Sequence, residues 1–309
     1  MNIRAIVVLA ALFAPALGNG YELLFDADSP YHHVRVTEDE DVGYRFLSFD
    51  ETRGTQSAMK IDDPVFLYYV YARLAFAGLA FVDEPNDVLF VGLGGASMPK
   101  FFRHHYPEAN VDIAEIDPVI VEVAQKYFQY KPDAKTKIYV KDGRIVLSKI
   151  KKKYDLIFLD AYNTRSIPFH LTTKEFMQIV RGCLKPNGAV VSNIWSPDLN
   201  QYFEAEIKTF QETFPELYIF KALVSGNYIF IATNQAGQMP EYKLADRAAR
   251  IQRDRQFHFD LADLIKSTYQ YATNRPTREP ALTDDRAPVN VMRWREVERA
   301  EDETTTATR

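Results

Sequence analysis

The chain has 309 residues, 47% hydrophobic and 26% charged, which fits a globular protein of one large domain or of a main domain with a smaller appendage. Its net charge of -5 lacks the basic excess of a nucleic-acid binder, so no nucleic acid is expected as a partner. The single cysteine, Cys183, excludes an internal disulfide and a thiolate cluster, and the six histidines show no HExxH-type spacing, so no metal is expected.

Residues 1–18 form a leader-like segment. Arg4 is followed by thirteen mostly apolar residues, Ala5 to Leu17, and the triplet Ala16-Leu17-Gly18 is a small-x-small site. This is the pattern of a secretory signal peptide and suggests export to the periplasm or exterior. The competing reading is a buried helix or uncleaved anchor, with the protein cytoplasmic or membrane-anchored. Thirteen apolar residues are short for a bilayer span, and no other segment reads as transmembrane.

Residues 19–60 read as a small β domain. His32–Glu38 (HHVRVTE) and Tyr44–Phe49 (YRFLSF) are β-rich and flank the acidic turn Asp39-Glu40-Asp41, which predicts a hairpin. Asp63-Pro64 then predicts a helix start, with Asp as N-cap and Pro in the first turn. The helix would carry the aromatic run Phe66, Tyr68, Tyr69 and Tyr71. Those rings fit a packing face, and one or two fit a site wall, since a buried tyrosine hydroxyl needs a partner.

Residues 61–240 alternate strand and helix. Strands are predicted near Val88–Val91, Val111–Glu115, Lys137–Val140, Leu156–Asp160 and Ala189–Ile194, each a near-continuous apolar run suited to a parallel sheet covered on both faces. Thr172-Thr173-Lys174-Glu175 fits a capping box, and Lys185-Pro186-Asn187-Gly188 a helix stop. Leu217–Leu223 and Tyr228–Ala232 leave no room for a helix between them and predict an antiparallel hairpin at the sheet edge. The fold class is therefore α/β: a Rossmann-like sheet of the class I methyltransferase type with a terminal antiparallel hairpin, preceded by a small N-terminal β domain. Residues 241–298 read as a helical C-terminal extension, and 299–309 as a polar, disordered tail.

The chemistry concentrates in Asp87–Asp117. An apolar run ends in Gly92-Leu93-Gly94-Gly95, a helix-like segment follows, and a second apolar run ends at Glu115. Glycines at such a turn let the backbone approach a ligand that a Cβ would push away. The acid at the second strand's tip suits a ribose diol, as in nucleotide- and nucleoside-binding α/β domains. Asp142, beside Gly143, follows the third strand, and Asp160 closes the fourth. Ligands in open α/β sheets bind at the carboxyl ends of strands, so all three acids should face one crevice. Glu115 would hold the ribose, Asp142 the adenine amino group, and Asp160 would reach the reacting centre. Helix capping is the alternative, for Asp142 in particular. Clustered carboxylates also suit a cationic ligand, a sulfonium or an amine, and a carboxylate in a dry pocket can accept the proton an attacking amine must lose.

These residues carry a resemblance to the spermidine synthase family of polyamine aminopropyltransferases, particularly its divergent spermidine-synthase-like branch. The matching pieces are Ser29-Pro30-Tyr31, Gln56-Ser57, Asp63-Pro64, Val88–Gly95, Glu115-Ile116-Asp117-Pro118, Asp142-Gly143, Tyr154-Asp155, Asp160-Ala161 and His170–Phe176. Leu282-Thr283-Asp284-Asp285-Arg286-Ala287-Pro288 is similar to that branch as well. The resemblance implies decarboxylated S-adenosylmethionine as aminopropyl donor, a small-molecule amine such as putrescine as acceptor, and a homodimer. It implies Gly92, Gly94, Gly95, Glu115, Asp142 and Gly143 as donor-binding residues and Asp160 as the proton acceptor. His32, Gln56, Tyr69, Tyr162 and Asn163 would line the amine side. The chain departs from the family pattern in four places. Gly95 stands where an aspartate usually holds the donor's amino group, Asn163 where a second catalytic-loop aspartate stands, His32 for a glutamine, and Val70 for a histidine. The nucleoside half is thus kept and the amine half altered. Two alternatives stay open: an S-adenosylmethionine-dependent methyltransferase, and a non-catalytic nucleoside-binding protein.

Overall fold

The computed structural model describes residues 21–49, 54–161, 168–223 and 226–286. The leader, the tail, Tyr162, Asn163, Ala287 and Pro288 lie outside the described residues. The N-terminal part is a four-stranded antiparallel sheet in sequential order: β1 (Tyr21–Asp28), β2 (His33–Asp39), β3 (Tyr44–Phe49) and β4 (Thr55–Lys60). The expected hairpin is β2–β3, with Val34 opposite Phe49. Its turn is held by Asp39, whose carboxylate accepts from the Asp41 and Val42 N–H groups at 3.1 and 3.2 Å. β1 and β4 extend the sheet beyond what sequence shows. β1 is a largely exposed edge, and β4 (TQSAMK) has no period-two apolar pattern.

The Asp63-Pro64 expectation is corrected. Phe66 N–H bonds the Asp63 carbonyl in a single turn, and the chain is extended at Tyr69, with ψ 137°. The helix α1 (Val70–Ala75) starts only at Val70 and tightens into a 3-10 segment over Phe76–Phe81. The cause is tertiary. Phe66 stacks on His258 with ring centres 4.4 Å apart, Leu67 is fully buried, and Arg73 Nε donates to the Leu67 carbonyl at 2.7 Å. These contacts override the local capping signal.

The second sheet has eight strands: β5 (Asp87–Val91), β6 (Asn110–Glu115), β7 (Thr136–Val140), β8 (Tyr154–Leu159), β9 (Leu184–Trp195), β10 (Glu216–Ala222), β11 (Asn227–Thr233) and β12 (Tyr269–Tyr271). Their spatial order is β12-β10-β11-β9-β8-β5-β6-β7. Helices α2 (Ser97–His105), α3 (Pro118–Tyr127), α4 (Gly143–Lys149), α5 (Lys174–Cys183) and α6 (Phe203–Thr213) connect them, and α7 (Glu241–Asp254) and α8 (Leu261–Thr268) follow β11. β5 to β9 run parallel, and β10 and β11 are antiparallel, as expected. Two details differ. Lys185–Gly188 is not a loop but the irregular start of β9, which pairs with β8 across a register shift. The β10–β11 hairpin is not the sheet edge, because β12 adds outside β10. A three-residue strand is too short to register in sequence.

The chain visits β6 and β7 on one side of β5, then β8 and β9 on the other, so the order reverses between β5 and β8. That gap is the topological switch point, where the carboxyl ends of an open α/β sheet leave a crevice. One apolar cluster joins Phe90, Phe101, Phe158 and Phe220 to Val34, Val36 and Leu47 of the small sheet, fixing that sheet over the crevice.

Glu206 of α6 is a buried liability. It is 1% exposed, Asn200 Nδ2 donates to its Oε2 at 3.1 Å, and Oε1 has no partner. Burial pushes its carboxyl up to about 8 from an ordinary 4.5. A folded value above the unfolded one gives stability that is complete below about 4.5 and is lost as pH rises towards 8. Glu206→Gln is therefore expected to flatten this dependence. Differential scanning fluorimetry should show the variant melting several degrees above the parent near the upper end of that window and no higher near the lower end.

Candidate active site

Backbone strain and close packing put the site together. Gly92 follows β5 with φ +98°, and its N–H donates to the Ala114 carbonyl at 2.9 Å. A Cβ built on Gly92 would lie 2.3 Å from the Asp160 carbonyl oxygen. Only glycine meets both demands, and the result sets the turn after β5 directly beside the tip of β8. Gly92→Ala is expected to cost on the order of 1–3 kcal/mol for the strained φ alone, plus the clash, and to remove ligand binding. A thermal melt with Tm unchanged from the parent would contradict this.

Glu115, at the end of β6, reaches the same turn. Its Oε2 accepts from Leu93 N–H and its Oε1 from Asp117 N–H, both at 2.9 Å. The side chain is 8% exposed, and burial raises its carboxyl pKa, against the pull of these donors. Each oxygen keeps a second lone pair, so the carboxylate that shapes the loop can still accept from a hydroxyl pair. Asp117 caps α3 through Val119 N–H at 2.9 Å, and Ser29 Oγ donates to its Oδ2 at 2.5 Å. The Ser29-Pro30-Tyr31 segment thereby docks beside Glu115, bringing His32 with its ring stacked on Phe49 at 4.3 Å.

Gly94 and Gly95 close against the small sheet. Gly95 N–H donates to Ser57 Oγ at 2.9 Å, and a Cβ on Gly95 would meet Ser57 Cβ at 2.8 Å and Phe128 at 2.9 Å. Nothing larger than glycine fits there without movement. A small cleft, open to solvent, runs from Gln56 and Ser57 past Tyr69 and Tyr71 to Gly92 and Asp160.

Asp142 is a helix cap. Its Oδ1 accepts from Ile145 N–H at 3.0 Å, and its Oδ2 pairs with His170 Nε2 at 2.7 Å. The histidine contact, first of all, holds this carboxyl below its ordinary value. Gly143 is packed on β5, with a built Cβ only 2.4 Å from Val91 Cγ1. The capping alternative therefore describes Asp142, and any adenine contact would use its remaining lone pairs. Arg144 binds the His170 carbonyl at 3.0 Å and Asp284 at 2.8 Å, so the Leu282–Arg286 segment folds back onto this corner.

Asp160 stands just beyond β8, its N–H donating to the Val91 carbonyl at 2.9 Å. Asn193 Nδ2 donates to its Oδ1 at 2.9 Å, and the Tyr71 hydroxyl is a neighbour of the carboxylate. Burial raises its carboxyl above the ordinary value, and these two neighbours oppose that rise. Sequence reasoning named Tyr71 only within an aromatic run and did not name Asn193. The one signal for Asn193 is a polar residue inside the apolar strand VVSNIW, which β propensity does not explain.

A glycine turn and an acid on adjacent strand tips, a second acid across the switch point and a terminal antiparallel hairpin define a Rossmann-like domain of the class I methyltransferase type. Residues 70–239 match the family model described as spermine/spermidine synthase domain. The chain belongs to the spermine/spermidine synthase family. It is 34% identical over 243 residues to a polyamine aminopropyltransferase of Vibrio vulnificus, covering 75% of this chain and 80% of that one. The fold is similar to that of spermidine synthase from Thermotoga maritima, with TM-score 0.63 at 19% identity over 80% of this chain and 84% of that one. Human methyltransferase-like protein 13, solved in complex with SAH, superposes with TM-score 0.56 at 25% identity over 61% of this chain and 93% of that one.

Proposed function

We propose that this protein is an aminopropyltransferase that moves an aminopropyl group from decarboxylated S-adenosylmethionine to a polyamine acceptor. The observation that carries the reading is the contact of Gly92 with Asp160 across the switch point. It sets Asp160, whose carboxyl pKa burial raises, beside the turn that would receive the nucleoside. Glu115 would accept from the ribose hydroxyls, with Leu93 N–H fixing its orientation. Asp142 and Gly143 would border the adenine, and Gln56, Tyr69 and His32 would border the amine. Tyr162 and Asn163, which lie outside the described residues, would join them.

In the reaction the acceptor's amine gives a proton to Asp160, and its freed lone pair attacks the propyl carbon next to the sulfonium. The new C–N bond forms as the C–S bond breaks, its electron pair passing to sulfur. The products are the extended amine and neutral 5′-methylthioadenosine. Positioning of the two reactants supplies much of the acceleration, and proton acceptance a further part. No metal is assigned a role.

Methyl transfer from intact S-adenosylmethionine is the second reading. It is favoured by Gly95 standing at the family's aspartate position and by the likeness to methyltransferase-like protein 13. Mass spectrometry of reactions with putrescine and each donor in turn separates the two. Spermidine and 5′-methylthioadenosine from the decarboxylated donor support aminopropyl transfer. A methylated amine from the intact donor alone overturns it, and no product from either leaves a nucleoside-binding protein. We also propose export through residues 1–18, which sequencing of the mature N-terminus tests, and a homodimer, which sedimentation tests.

A further inference from the structure

We propose that Asn193 and Asn227 form an amide relay that positions Asp160 for proton acceptance. The inference rests on the reading of Asp160 as the proton acceptor and adds two positioning residues to it. Parallel pairing sets Leu159 of β8 opposite Ser192 of β9, so the next residues on each strand, Asp160 and Asn193, stand side by side. Asn193 Nδ2 donates to Asp160 Oδ1 at 2.9 Å. On the far side, Asn227 of β11 donates its Nδ2 to Asn193 Oδ1 at 3.0 Å. Asn193 is 8% exposed, so both bonds lie largely out of water.

The second bond gives the first its direction. An asparagine amide can present either its carbonyl or its NH2 to a neighbour, and only the NH2 suits a carboxylate. Asn227 occupies the Asn193 carbonyl and so turns the NH2 of Asn193 towards Asp160. The donated bond favours the ionised carboxylate against burial, which favours the neutral acid. It also leaves Asp160 in one orientation towards the cleft. Among the described residues, the titratable group that faces Asp160 is Tyr71 from α1, with Tyr69 next to it. β9 and β11 present the two neutral amides.

The test reads Asp160 directly, by NMR titration of protein labelled at the aspartate carboxyl carbon, with Asp160→Asn assigning the signal. Asn193→Ala and Asn227→Ala are each expected to raise the titration midpoint by about one pH unit, with the double variant no further than Asn193→Ala. Asn227→Asp should raise it more than Asn227→Ala, because a carboxylate there draws the Asn193 NH2 away from Asp160. Asn227 is half-buried, so its variants carry the test if Asn193→Ala does not fold. In turnover assays with decarboxylated S-adenosylmethionine and putrescine, the acid limb should move by the same amount. kcat should fall about tenfold and the affinity for 5′-methylthioadenosine should stay constant. Unmoved midpoints in the Asn227 variants, or additive effects in the double variant, overturn the relay. Absence of turnover in the parent overturns the functional reading instead, and the NMR titration still decides the relay.

Discussion

Asp160→Asn is expected to lower turnover by about a hundred- to ten-thousandfold while leaving 5′-methylthioadenosine affinity nearly unchanged. The substitution keeps the shape of the side chain and removes its capacity to accept a proton. The parent should show the complementary pH signature. Burial raises the Asp160 pKa above 3.8, so the rate should climb as pH rises through that higher value and the carboxylate ionises. The climb should lie above the usual aspartate range, and Asp160→Asn should lack it. Steady-state kinetics across pH check both statements. Unaltered turnover in the variant would remove the proton-acceptor role.

Glu115→Gln should act on binding rather than on the chemical step. The glutamine side chain has one carbonyl oxygen where the carboxylate has two, and both oxygens are used, by Leu93 N–H and Asp117 N–H. One of those donors would face an NH2 group, loosening the turn, and a charge-assisted contact to the ribose would go as well. A hydrogen bond to a charged group is worth about 1.5–3 kcal/mol. The dissociation constant for 5′-methylthioadenosine should therefore rise about ten- to a hundredfold. Calorimetric titration of parent and variant gives the ratio, and equal constants would contradict the assignment of Glu115.

The β5–Gly92–α2–β6–Glu115 unit was legible because its signals are local. An apolar run, a turn that needs positive φ and an acid at a strand tip are all written within 31 residues, Asp87 to Asp117. The β10–β11 hairpin was legible for the same reason, through Ser225-Gly226-Asn227 between two apolar runs. Long-range contacts account for what sequence did not show. The Asp63-Pro64 signal is a good local helix start, yet His258, nearly two hundred positions away, captures Phe66 and holds the chain extended. Asp142 reads alike as ligand or cap, and its engagement with His170 is settled only by the fold. Asn193 and Asn227 carry no motif, and strand register alone brings them to Asp160.

The measurement that bears most directly on the account is calorimetric titration of 5′-methylthioadenosine into the unmodified protein. A single saturable site is predicted, abolished by Gly92→Ala if that variant folds and weakened by Glu115→Gln. No heat of binding with this thioether, nor with either S-adenosyl sulfonium, would contradict the nucleoside cavity and every function built on it.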